Sequence, residues 1–155
     1  MKRAAALLVV IALAGCASST RSGSQSFAVR LHPGDDLRLS LESLTKERGL
    51  RAAYVATCVG SLRQAAIRYA DREQPEIVRG PLEIVSLVGT LAPDGPHLHI
   101  AVSDGEGRTT GGHLAAGSLV YTTAEIVIVE VPHAAFSRTV DPETTFRELE
   151  IKKLP

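Results

Sequence analysis

Apolar and polar positions along this chain alternate in twos far more often than in the rhythm of a helix. Residues 27–31 alternate in this way and predict a first strand. Leu37, Leu41 and Leu44 recur at helical spacing and predict one amphipathic helix. Asp35 or Asp36 is placed to cap its start, and Gly49 stands where a C′ glycine ends a helix. Residues 52–59 form a continuous apolar run, as in a buried strand, and Gly60-Ser61 reads as a turn into residues 62–69. The charged stretch 71–80, broken by Pro75, reads as a loop. Residues 82–91 follow as a strand with Leu82, Ile84, Ser86 and Val88 on one side. A turn at 92–96 then makes the next strand, 97–102, antiparallel to it. The glycine-rich segment 103–112 reads as a long flexible turn. Residues 119–131 are the longest β-branched run, ended by Pro132, and 144–151 read as a short terminal element. The expected fold class is α+β: one domain, mostly antiparallel β-sheet with one main amphipathic helix packed on it.

The start of the chain has a different character. Lys2 and Arg3 precede an apolar run over residues 4–14, shorter than the roughly 20 residues that span a bilayer. That combination predicts an export signal over residues 1–15. Its end, Leu13-Ala14-Gly15-Cys16, resembles the bacterial lipobox, which implies cleavage before Cys16 and lipid attachment to its thiol. The alternative is an ordinary secretory signal with a chance cysteine. Residues 16–26 are small and polar and read as a flexible tether, leaving 27–155 as the folded domain. The expected location is outside the cytoplasm, lipid-anchored to a bacterial membrane and facing the periplasm in a Gram-negative cell.

Charge narrows the choice of partner. Removing residues 1–15 takes away two basic residues, so 17 − 2 = 15 Lys and Arg remain against 17 Asp and Glu, a balance of −2. No basic stripe of the kind that neutralises nucleic-acid phosphates is present, so nucleic acid is not the expected partner. With Cys16 lipidated, Cys58 has no disulfide partner and reads as a small core residue.

The chemistry sits in His97-Leu98-His99 and in His113 beyond the glycines. Strand side chains alternate faces, so His97 and His99 project together while Leu98, Ile100 and Val102 face the other way. Three imidazoles match the ligand count of a catalytic zinc site with one position left open. Gly111-Gly112 is expected to turn the backbone sharply and deliver His113 to the pair. The competing reading is three polar surface histidines with no ligand. Glu125 or Glu83 is a second-layer carboxylate that would orient a ligating imidazole, or else an ordinary ion-paired or interface group. His32 and His133, beside Pro33 and Pro132, read as turn residues. Ser118, Ser86 and Cys58 lack a nucleophile-elbow context, so no catalytic residue is assigned.

Several segments in order resemble the plants-and-prokaryotes conserved (PPC) domain. Residues 80–89, Gly-Pro-Leu-Glu-Ile-Val-Ser-Leu-Val-Gly, are similar to that family's G-x-F-E-I-x-S-L-x-G stretch, with Leu82 in place of its usual Phe. His97-x-His99, Gly111-Gly112-His113-Leu114, Gly117 and Thr123-Ala124-Glu125-Ile126 follow in the family's order. Pro33-Gly34-Asp35-Asp36 and Val59-Gly60-Ser61-Leu62 match upstream, so the resemblance covers roughly residues 27–151. It implies a compact α/β domain, assembly as a homotrimer and a bound divalent metal of the zinc type on the histidine signature. It also carries a DNA-binding label, although this chain has no Arg-Gly-Arg-Pro hook and does have an export signal.

Three functions therefore compete: a membrane-tethered, trimeric metal-binding module with a binding or sensory role; a metal-dependent enzyme; and a DNA-binding protein. The second is weakened because no general base stands beside the trio in sequence, and the third by charge and export. The first is the expectation. The small-molecule ligand, if one exists, is not readable from the chain.

Overall fold

The leucines spaced for a helix do form one. In a computed structural model, which describes residues 23–155, α1 spans Leu37–Glu47 and buries Leu37 and Leu41 completely. Asp36 is the cap: its Oδ1 accepts from the N–H groups of Arg38 and Leu39 at 3.0 Å each. Its Oδ2 accepts from Gly117 N–H at 2.6 Å, which ties the helix start to a distant turn. The export signal, Cys16 and residues 16–22 of the expected tether lie outside the described residues. No helix among the described residues is long and apolar enough to cross a membrane.

The strands are β1 (Ser26–Leu31), β2 (Ala53–Arg68), β3 (Glu76–Leu91), β4 (His97–Ser103), β5 (Thr109–Leu114), β6 (Leu119–Glu130), β7 (Ala134–Val140) and β8 (Arg147–Lys153). Six of them form one sheet in the order β1-β6-β2-β3-β4-β5, with every pairing antiparallel. The far end of β2 also pairs with β5, Ile67 opposite Leu114 and Arg68 opposite His113. The pairings β2–β3–β4–β5–β2 thus close a ring, and closure removes the free edges of those strands. Ile67, Leu98, Ile100, Val102 and Leu114 are buried in its core. The α+β expectation holds.

Four local expectations change. Gly60-Ser61 does not turn the chain: β2 runs through it, and Gly60 (φ +139°) sits where a Cβ would strike the carbonyl of Thr123. A glycine inside a strand marks a bulge and close backbone approach, and the β2–β6 register does shift there. The charged loop is shorter than expected, because β3 already starts at Glu76, opposite Ile67. Within β3 a register shift between Ile84 and Ser86 flips the alternation. Leu87 therefore joins Leu82 and Ile84 in the core, while Ser86 and Val88 are exposed. Finally, the terminal element is a two-stranded hairpin of β7 and β8, and β7 restarts immediately after Pro132 and His133.

Candidate metal centre

Burial of Leu98, Ile100 and Val102 in the core turns the alternate residues of β4, His97 and His99, to the outer face. The β4–β5 ladder then sets His113 opposite His99. Side chains directly opposite in an antiparallel pair share a face, so all three imidazoles meet. Ring centroids lie 5.2 Å apart for His97–His99, 5.1 Å for His97–His113 and 5.6 Å for His99–His113. One ring nitrogen from each lies within 4.8 Å of the others. Nitrogens around a tetrahedral zinc, at about 2.0–2.1 Å from the ion, stand roughly 3.3 Å apart, so modest side-chain rotation closes the set.

The glycines act differently from the sequence expectation. Gly111 and Gly112 lie inside β5 rather than in a turn, and the turn itself is only residues 104–108. A Cβ on Gly111 would come 2.5 Å from the carbonyl of Ile100, and one on Gly112 would come 2.8 Å from that of Arg68. Absence of side chains here lets β5 fit between β4 and β2, and strand pairing delivers His113. The turn folds onto Asp104, whose Oδ1 accepts from the N–H groups of Glu106 and Arg108 at 3.0 Å each. Those donors are used internally rather than cradling an anion.

Burial perturbs two of the three imidazoles. Partial burial pushes the His113 pKa down from 6.5 to about 4, aided by the neighbouring His97 and Arg68. His97 is also lowered, first by burial and then by Arg138 and His99, with Glu148 opposing. Both rings are neutral at pH 7, which is the form a metal needs. Nδ1 of His113 is buried and has no hydrogen-bond partner among the described residues, an orphan of the kind that a bound group explains. The three rings are placed so that together they could hold one metal ion.

The other residues singled out from sequence are placed elsewhere. Glu83 lies opposite Ser103 on β4 and Ser61 on β2, and Glu125 opposite Arg30 and Val59, in a separate depression. Neither lines the cavity onto which His97 and His113 open. His32 stands beside Asp35, and His133 Nδ1 lies 3.0 Å from the carbonyl of Pro155. Cys58 is buried, and desolvation pushes its thiol up to about 12, which suits a core residue.

Sequence reasoning missed the surroundings of the trio. A cavity of about 970 Å³ opens beside His97 and His113, walled by Arg68, Arg72, Arg138, Arg147, Phe146 and Glu148 among others. Arg68 is adjacent because it faces His113 across β2–β5, and the last four come from the β7–β8 segment. No local pattern near the histidines signals residues that arrive by long-range pairing.

The profile of the Plants and Prokaryotes Conserved (PCC) domain, the family whose motifs the sequence resembles, matches residues 18–132. Over 128 residues the chain is 48% identical to Bifunctional protein GlmU of Synechococcus sp. (strain JA-3-3Ab), covering 83% of this chain and 21% of that protein. The chain spans about a fifth of the length of the curated relatives it matches. A hypothetical protein from Salmonella cholerae-suis (Salmonella enterica) superposes with a TM-score of 0.82 at 41% identity, covering 84% of this chain and 95% of the other. A metal-containing protein from Archaeoglobus fulgidus gives 0.70 at 29% identity, covering 81% and 93%. A protein of Ralstonia eutropha JMP134, provisionally named DNA-binding, gives 0.72 at 25% identity, covering 81% and 90%.

The depressed His113 pKa has a measurable consequence for the metal-free protein. The unfolded chain takes up a proton on this residue around pH 6.5, the folded chain only around pH 4. Between those values the unfolded state holds the extra proton, so stability falls as pH is lowered from about 6.5 to about 4. Urea midpoints at pH 7 and pH 5 should show the fall, and His113→Asn should reduce it, leaving the smaller part that the lowered His97 contributes.

Proposed function

The chain belongs to the Plants and Prokaryotes Conserved domain family, and from that premise we propose that it is a metal-binding module in which His97, His99 and His113 hold one divalent ion of the zinc type. The observation that carries this reading is the convergence of three ring nitrogens to within 4.8 Å of one another on a rigid pair of strands. The metal content of the Archaeoglobus relative supports it. When bound, such an ion supplies a Lewis-acidic position open to a water or another oxygen ligand. The protein's own part is to fix the imidazoles through the β4–β5 register and keep two of them neutral. A binding or sensory role follows from these parts. DNA binding, the label of the Ralstonia relative, gains no support from a formal net charge of +0, and we do not adopt it.

The same reading includes a lipid anchor on Cys16 and a homotrimer. The lipobox-like Leu13-Ala14-Gly15-Cys16 supports the first. Exposed apolar side chains on three strands of the sheet, Val59, Val85, Val88 and Tyr121, support the second.

Three outcomes test these statements. Purified protein should carry about one zinc-type ion per chain, and the pair His97→Ala/His99→Ala should lose it. Unchanged metal content in that pair rejects the site. Cells expressing the chain should incorporate labelled palmitate into it, and Cys16→Ser should abolish the label. Sedimentation equilibrium should give the mass of a trimer, and Val59→Glu with Tyr121→Glu should give a monomer; a wild-type monomer counts against the assembly.

A further inference from the structure

The cavity beside the histidines has an unusual electrostatic make-up. Arg68 lies opposite His113, in the same cross-strand row as His99. Arg138 reaches the other flank: its Nη2 donates to Thr90 Oγ1 at 3.4 Å, and Thr90 lies opposite His97. Guanidinium groups therefore bracket the histidines from both sides. Among the described residues, none of Arg68, Arg72 and Arg138 has a carboxylate within 4.0 Å. What Arg68 and Arg138 do contact is neutral oxygen. Arg68 Nη1 donates to the carbonyl of Arg72 at 3.3 Å, and Arg138 Nη1 donates to that of Arg147 at 3.0 Å. Arg147 differs, since it is paired with Asp94 at 3.1 Å and acts as a strut.

Two buried side-chain nitrogens among the described residues lack any hydrogen-bond partner, His113 Nδ1 and Arg138 Nε. Both belong to residues lining this one cavity. A buried guanidinium N–H left unpaired is costly, and the paired oxygens of an oxyanion match the guanidinium fork. The volume of about 970 Å³ is in the range of small-molecule sites.

We propose that this cavity binds a small polar molecule through one oxyanion, a carboxylate or a phosphate, gripped by Arg68, Arg72 and Arg138 and lying next to the metal position. The inference rests on the metal reading for its orientation, because His97 and His113, two of the three residues that would hold the ion, line the same cavity. Asp71, Glu73 and Glu148 line the same cavity, so the rest of the ligand presents hydrogen-bond donors rather than further negative charge. The β7–β8 hairpin, which supplies Arg138, lies beyond residues 18–132 matched by the family profile. Ligand choice is therefore set partly by residues outside that matched segment.

The test follows the arginine Nε–Hε signals of the purified full chain by NMR while inorganic phosphate or lactate is added, with metal content measured on the same samples. The Arg138 signal should shift and saturate at one ligand per chain, and the tighter of the two probes identifies the oxyanion. Arg68→Gln and Arg138→Gln should each weaken that probe at least tenfold while metal content stays unchanged. Saturable binding without metal in the wild type supports the arginine site and sinks the metal reading alone. Full metal occupancy with no saturable shift for either probe overturns the proposal, as does binding indifferent to both substitutions. Should a variant fail to fold, the wild-type titration still decides.

Discussion

Everything chemical in this domain depends on one register, the one that sets His99 of β4 opposite His113 of β5. Strand side chains alternate, so a slip of one residue would turn His113 into the core and break the trio. The core prevents it. Leu98, Ile100, Val102 and Leu114 occupy the inner face, and burying each large apolar side chain is worth about 1.5–3 kcal/mol. Pairing of β5 with both β4 and β2 adds a second restraint, and the narrow fit at Gly111 and Gly112 admits no side chain larger than hydrogen. A rigid apolar interior therefore fixes a polar outer face. The cost falls on the histidines as desolvation of His97 and His113, and the apolar interior that fixes the register offsets it.

How much of this was legible in the sequence varies with the range of the interactions involved. The helix, its glycine stop and the common face of His97 and His99 were readable, since each is set by residues a few positions apart. That His113 joins them was readable as chemistry, but its route was not: the glycines permit close strand approach, not a sharp turn. Gly60 misled in the same way, because a glycine at a bulge and a glycine at a turn look alike without knowledge of the strand beside it. The flipped alternation in β3 was hidden for the same reason. The placement of Glu83 and Glu125 away from the trio follows from sheet order, which no local pattern encodes.

The site joins two layers with different origins in the chain. The imidazole set sits within residues 18–132 that match the family profile, on strands closed into a ring. The cavity wall draws on Arg68 and Arg72 near the end of β2 and on a separate hairpin that brings Arg138, Phe146, Arg147 and Glu148 alongside. A fold can keep a donor set constant while a peripheral element changes what lies next to it.

Whether His97, His99 and His113 share one ion, as proposed, is open to direct measurement by X-ray absorption at the metal edge of zinc-loaded protein. Three imidazole nitrogens at about 2.0–2.1 Å are expected, with the remaining coordination from a light oxygen ligand. An imidazole signal that survives intact in His97→Ala/His99→Ala, or a first shell without histidine, would contradict it.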